Sequence, residues 1–101
     1  MGILKISDHV ERCYSNHDGL IIQEILRSKL NDGYSVTVSF QGINGVTSSF
    51  VNTAFIELLD TFDFSFIKSH VKFADTNSQI NGMIKDRFRF EVFERKNATL
   101  V

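Results

Sequence analysis

The sequence predicts a small, single-domain α/β fold, with a mixed or mostly parallel central sheet of three to four strands covered by about three helices. Segments with a period of two alternate with segments of helical spacing, in the order strand, helix, strand, helix, strand, helix. The 101 residues are 43% hydrophobic and 23% charged, which suits one globular core. We expect one domain over residues 1–101, with its core in about 15–90 and a loose tail at 96–101.

The central segment carries the clearest pattern. Val36, Val38 and Phe40 alternate with polar residues and lead to a glycine, which predicts a buried strand. Gly42 and Gly45 then enclose a two-residue turn, in which glycine can take positive φ.

A helix is predicted directly after this turn. Apolar residues follow helical spacing from Phe50 to Phe62, and the helix is expected to end near Asp63. Either Thr47 or Ser48 can supply the oxygen that caps its first turn.

The N-terminal part predicts one strand and one helix. Residues 4–7 fit a short strand, and apolar residues at helical spacing begin at residue 20. Either Ser15 or Asp18 is expected to cap this helix, and Gly33 to follow its end in a left-handed conformation.

The C-terminal part begins with a connection at 64–70 that holds part of a helical turn. A third strand follows at 71–74, and the polar run 75–78 caps a last helix. Residues 87–93 leave two alternatives, because they alternate as a strand does and also continue the helical spacing. We favour a helix through about Arg89.

Composition narrows the classes of function. The formal net charge of −1 argues against a nucleic-acid protein that binds through overall charge. No apolar run approaches membrane-spanning length and the N-terminus lacks a signal-peptide pattern, so no membrane partner is expected. The single cysteine, Cys13, excludes an internal disulfide and favours a reducing, cytoplasmic location.

Two groups of residues invite a chemical interpretation that we do not favour. His9, Cys13 and His17 recur every four residues, as zinc ligands on one helix face would, but this stretch lacks a helical apolar pattern and a fourth ligand. No G-x-S-x-G motif occurs, and no histidine is close in sequence to the serine pair at 48–49. We therefore expect neither an enzyme, a metal site nor another cofactor.

The C-terminal segment is both basic and rich in phenylalanine. Three acidic residues dilute its five cations between 85 and 96, so a solvated face is favoured over nucleic-acid binding. The ten phenylalanines are many for this length and suggest that one face packs on another copy of the chain or on a partner.

The central segment also carries a resemblance, in the run VTVSFQGINGVTSSFVNTAF. It resembles the STAS-like domains of unknown function of bacteria and archaea, in which a hydrophobic strand and a small turn lead to T-S-S-F and a helix. The likeness extends over about residues 15–90. More distantly, the segment is similar to STAS anti-sigma-factor antagonist domains, in which the serine after the aspartate of a D-S-S-G motif is phosphorylated by a GHKL-type ATPase kinase. Ser48 matches that serine, while Thr47 replaces the aspartate and Phe50 the glycine.

The resemblance implies a non-catalytic regulatory module that binds a protein partner, such as a GHKL-type ATPase or kinase, in a phosphorylation-dependent switch. Ser48 is the expected switch, and simple helix capping is the alternative role for this residue. The expected contact surface includes the exposed side of the helix to Asp60 and, around the turn, Gly42, Asn44, Gly45, Thr47, Ser49 and Asn52. Two other functions stay open: binding of a small anionic ligand such as a nucleotide, and a homodimer through the phenylalanine-rich C-terminal segment.

Overall fold

The computed structural model describes residues 2–98, with side chains to residue 96. Within this range the strands are β1 (Gly2–Lys5), β2 (Val36–Ser39) and β3 (Val71–Ala74). The α-helices there are α1 (Asn16–Asn31), α2 (Ser48–Ala54), α3 (Phe64–His70) and α4 (Ser78–Ala98). Short 3-10 segments follow β1 at Ile6–Asp8 and α2 at Ile56–Asp60.

The strands form one sheet in the order β1-β2-β3, and both pairings are parallel. The register aligns Leu4 with Val38 and Val38 with Phe73. Right-handed crossovers between neighbouring parallel strands place the connecting helices on one face of the sheet. Burial agrees, since Leu4 and Val38 are buried whereas Ile3, on the other face, is 75% exposed.

Four phenylalanine rings join the sheet to α2. Phe55 makes edge-to-face contacts with Phe50 and Phe73, at centroid distances of 6.0 Å and 5.1 Å. Phe40, at the end of β2, lies 6.2 Å from both Phe55 and Phe73. Such pairs add about 0.5–1.5 kcal/mol each beyond the area they bury. These rings supply much of the bulk of the core, as the phenylalanine-rich composition suggests.

The close crossing of α1 and α2 depends on a glycine. A Cβ atom on Gly19 would lie 2.8 Å from the Cβ of Thr53 and 2.9 Å from the carbonyl oxygen of Phe50. One helical turn further along α1, the buried side-chain amide of Gln23 donates hydrogen bonds to the Thr53 carbonyl and to the Glu57 carboxylate. The two helices therefore approach more closely than any side chain at position 19 allows.

The fold class predicted from the sequence is confirmed, and several boundaries differ. The sheet of the described residues is wholly parallel, and 64–70 forms a complete short helix, α3. The helix after the turn ends at Ala54, well before Asp63, and a 3-10 segment follows. Phe55 leaves helical geometry at φ −124° as its ring enters the aromatic cluster, so core packing ends the helix although the apolar spacing continues.

The chain ends also differ from the predictions. β1 covers residues 2–5, two residues earlier than expected. The strand alternative for 87–93 is wrong, because α4 continues through this segment to Ala98. The segment predicted as a loose tail, 96–101, begins within α4, which includes 96–98, and 99–101 lie outside the described residues. Arg95 helps to stabilise the last turns through bonds to Glu91 at 3.0 Å and Asp60 at 2.7 Å.

None of the helices described for residues 2–98 is long and apolar enough to cross a membrane.

Candidate functional site

The candidate site is the turn surface, which we define as residues 42–49, between β2 and the first residues of α2. Gly42 is exposed and has φ +83°, as the sequence predicts. The N–H of Ile43 donates to the carbonyl of Phe40 at 2.8 Å and closes the turn. Gly45 does not take positive φ. It lies instead against Gln79, whose Oε1 would be 3.4 Å from a Cβ at this position.

Gln79, in the first turn of α4, holds the second half of the turn surface. Its Oε1 accepts from the Val46 N–H at 2.9 Å, and its Nε2 donates to the Val46 carbonyl at 2.9 Å. One amide thus satisfies both backbone groups of a residue outside any strand, as a neighbouring strand would.

Asn77 holds the turn surface at Asn44, which we call its tip, and directly precedes α4. Its Nδ2 donates to the Asn44 carbonyl at 2.8 Å, while its Oδ1 accepts from the Ile80 N–H at 2.9 Å. The side chain of Asn44 itself is exposed. Because one amide makes both bonds, the position of the tip is tied to the start of α4.

Thr47 joins the turn surface to the loop before α1 and caps α2. Its Oγ1 accepts from the Phe50 N–H at 3.2 Å and donates to the Tyr14 carbonyl at 2.7 Å. Its own N–H donates to the Cys13 carbonyl at 3.1 Å. Thr47 is therefore the N-cap, and the alternative that Ser48 has this role is wrong.

Ser48 and Ser49 are exposed at the start of α2. Among residues 2–96, neither hydroxyl has a hydrogen-bond partner, since Thr47 occupies the capping position. Both hydroxyls therefore face solvent beside a turn that other residues hold in place.

Asn52 does not belong to this exposed group. It is half-buried, and its Oδ1 accepts from Nε of Arg87 on α4 at 2.7 Å. The next residues of α2 are buried between α1 and the rest of the core. α2 therefore exposes little beyond its first two residues, and the predicted contact along the exposed side of the helix to Asp60 stays a prediction.

The spacing of His9, Cys13 and His17 does not produce a metal site. α1 begins only at Asn16, so the first two of these residues precede the helix. No group of three histidine, cysteine, aspartate or glutamate side chains in the described part of the chain could hold a metal ion. Cys13 is fully buried, and desolvation, with a smaller contribution from the charge of Asp18, raises the pKa of its thiol to about 12.

A small cleft lies beside the turn surface. It has a volume of about 170 Å³ and is lined by residues 11–14 and 42–45. Ligand sites for small molecules usually enclose about 300–1,000 Å³. This cleft is therefore smaller than a nucleotide-sized ligand requires.

Three residues were not predicted: Asn77 and Gln79, which hold the turn surface, and Arg87, which bonds to Asn52. Asn77 lies in the polar run 75–78, whose expected role was only to cap α4. Nothing local in the sequence marks Gln79 or Arg87, because their partners are 33 and 35 residues away.

Comparison with known proteins agrees with the resemblance. No curated protein and no solved structure matches the chain. The family model described as STAS-like domain of unknown function (DUF4325) matches residues 20–81, a range that includes β2, the whole turn surface and α2. The chain therefore belongs to the family of STAS-like domains of unknown function.

Proposed function

We propose that this domain is a non-catalytic regulatory module that binds a protein partner through the turn surface. The observation that carries the proposal is the contrast between the two sides of the turn. On the protein side, hydrogen bonds from the side chains of Asn77, Gln79 and Thr47 fix the backbone. On the solvent side, the side chains of Asn44 and Ser48 are exposed. A surface that is already rigid loses little conformational entropy when a partner binds.

Ser48 is the proposed switch of this surface. Its hydroxyl is exposed and does not cap α2, so a phosphate can be added without removing a bond that holds the fold. Phosphorylation adds a charge of about −1.5 to −2, which changes the electrostatics of the contact. A GHKL-type ATPase or kinase as the partner is inferred only from the resemblance to STAS domains whose matching serine is phosphorylated.

The chemistry of the nucleophilic side chains supports a non-catalytic role. A thiol with a pKa of about 12 is almost wholly protonated near neutral pH, so Cys13 is a poor nucleophile. Within residues 2–96, no histidine or carboxylate hydrogen-bonds Ser48 or Ser49 to act as a general base. The single buried cysteine also suits the reducing cytoplasmic location that we propose.

A homodimer through α4 is the second candidate function. Phe90 and Phe93 are 52% and 59% exposed, which is unusual for phenylalanine. Light scattering of the wild type and of Phe93→Ser tests this arrangement. A dimer that the substitution dissociates supports it, whereas a wild-type monomer at high concentration contradicts it.

The main proposal is tested by affinity capture from the native host, with Asn44→Arg as the test variant and Asn31→Arg as the matched control. Asn31 is exposed at the far end of α1, about 20 Å along the helix from the end that contacts the turn. We expect a protein that the wild type and Asn31→Arg retain and that Asn44→Arg loses. Equal capture by both variants contradicts the turn surface as the contact.

The switch is tested in the same material. Mass spectrometry of the peptide that carries Ser48 should find phosphate. Ser48→Glu should also change the amount of partner captured, whereas the control Ser28→Glu, at an exposed position of α1, should not. An unmodified Ser48, together with unchanged capture of the partner by Ser48→Glu, contradicts the role of Ser48 as a switch. The Asn44→Arg experiment tests the contact surface separately.

A further inference from the structure

A groove opens between α3, β3 and α4, away from the turn surface. Its volume is about 560 Å³, within the range of about 300–1,000 Å³ typical of binding sites. Its apolar lining consists of Phe64, Ile67, Val71, Phe73, Ile84 and Phe88. Phe64 is 36% exposed, and its ring lies 5.5 Å from that of Phe88 at the contact between α3 and α4.

The polar lining of the groove is basic. It consists of Asn81 and four cations, Lys68, Lys72, Lys85 and Arg89, and no acidic residue of the described chain lines it. Arg89 has a carboxylate neighbour, Asp86, at 3.9 Å, but both side chains are more than 70% exposed and such a pair contributes little. A chain with a net charge of −1 therefore concentrates four positive charges around one apolar groove.

The folding of α4 produces this separation of charge. Lys85 and Arg89 are four residues apart, so they share one face of the helix and reach the groove. Glu91 bonds to Arg95 instead, and Arg95 also bonds to Asp60. The acidic residues that dilute the basic segment in sequence are thus not part of the groove in the structure.

One wall of the groove is the edge strand β3. Lys72 and Ala74 are aligned with Thr37 and Ser39 of β2, and the Ala74 carbonyl accepts from the Phe40 N–H at 3.0 Å. Backbone groups alternate in direction along a strand, so those of Phe73 point away from β2, toward the free edge. A free edge of this kind can accept an added strand from another chain.

We propose that this groove binds an extended peptide segment of a partner protein, in which apolar side chains alternate with aspartate or glutamate. The apolar side chains fill the groove, the carboxylates lie on the outward side of the extended peptide and attract the four exposed cations around the groove, and the peptide backbone lies along β3. A second copy of this chain is a poor occupant, because it would bring the same four cations opposite each other. The groove shares no residue with the turn surface, so this proposal does not depend on Ser48.

The test uses three fluorescein-labelled ten-residue peptides and fluorescence anisotropy with the full chain. In the first, glutamates alternate with isoleucine and phenylalanine; in the second, lysines replace the glutamates; in the third, serines replace the apolar residues. We expect measurable binding only for the first peptide, weakening as salt concentration rises. Amide chemical shifts of the ¹⁵N-labelled protein should change at residues 67–73 and 84–89.

Charge-reversal variants locate the binding. Lys85→Glu and Arg89→Glu should each weaken binding of the acidic peptide about fivefold or more, because attraction becomes repulsion at an exposed site. Arg12→Glu is the matched control, because Arg12 is exposed but lines the small cleft beside the turn. Circular dichroism confirms that each variant is folded.

Several results would overturn the proposal. The lysine peptide could bind as tightly as the acidic one, or Arg12→Glu could weaken binding as much as Lys85→Glu does. The acidic peptide could also fail to bind at millimolar concentration. Binding of dodecanoate in the groove without binding of the acidic peptide would assign it to small anionic amphiphiles instead. A dimer that covers the groove would equally exclude a peptide there.

Discussion

The crossing of α1 and α2 gives the sharpest stability prediction, through the substitution Gly19→Ala. The new methyl group would lie 2.8 Å from the Thr53 Cβ and 2.9 Å from the Phe50 carbonyl oxygen. Carbon atoms in contact normally stay about 3.5–4.0 Å apart, so the helices must separate by roughly 1 Å. One of the two nearest atoms is backbone, so a side-chain rotation cannot relieve the overlap.

The expected magnitude follows from two opposing effects. Alanine is favoured over glycine in a helix by up to about 1 kcal/mol. Overpacking a close contact costs roughly 1–3 kcal/mol, and a contact with backbone belongs at the upper end. The net loss is then about 2 kcal/mol of unfolding free energy, which lowers Tm by roughly 8–16 °C in a domain of this size.

Gly82→Ala is the matched control, because Gly82 lies within α4 and a Cβ there meets no atom within 4 Å. Without a clash, the helix preference alone should raise Tm, by roughly 4–8 °C for about 1 kcal/mol. Thermal and urea unfolding followed by circular dichroism measure both variants. A Gly19→Ala protein as stable as the wild type would refute the close crossing.

Three other predictions concern the turn surface and the buried thiol. Thr47→Ala should cost about 1–2 kcal/mol in urea unfolding because the Phe50 N–H loses its cap, and Thr47→Ser should restore most of it; equal loss in both would exclude the hydroxyl as the cause. Gln79→Ala should lower the unfolding free energy by about 1–2 kcal/mol and speed amide exchange at Val46, because both bonds from the Gln79 amide are lost; unchanged exchange there would contradict this role of Gln79. The pKa of Cys13 rises from 9.0 to about 12 on folding, so its stability contribution is complete below pH 9 and declines between pH 9 and 12 as the unfolded thiol ionises. The unfolding free energy should fall in that window by up to about 1.4 kcal/mol per pH unit more steeply than in Cys13→Ala, and parallel pH profiles would contradict burial of the thiol.

The sequence was sufficient for the fold class because strands and helices differ in hydrophobic period. β2 alternates, α1 repeats at helical spacing, and Gly33 has φ +84° where a helix end was predicted. The sequence left two alternatives where one segment satisfied both periods, and the favoured helix through Arg89 is confirmed. Residues 87–93 alternate in polarity, but burial of Phe88 together with Ile84 in the core belongs to the helix.

The candidate site was predicted only in part. The location of the turn, the positive φ of Gly42 and the exposure of Ser48 followed from glycine, serine and the resemblance. The half-buried position of Asn52 did not, because its partner Arg87 comes from a helix that local patterns cannot place against α2. The groove was missed for the same reason, since Lys85 and Arg89 are interleaved with acidic residues in the sequence, and its other two cations, Lys68 and Lys72, come from α3 and β3.

The partners of the turn surface nevertheless share one feature that was available in the sequence. Asn44 pairs with Asn77, Val46 with Gln79 and Thr47 with Tyr14, and each pair is 33 residues apart. The spacing is close to the repeat of the sheet, in which Gly2 aligns with Val36 and Val36 with Val71. In a parallel sheet, each strand–helix–strand unit returns the chain to the same edge, so residues one unit apart meet there.

Once the strands of such a chain are assigned, their separation therefore indicates where the partners of a functional turn must lie. Polar side chains about one repeat before and after the turn are the ones to test first.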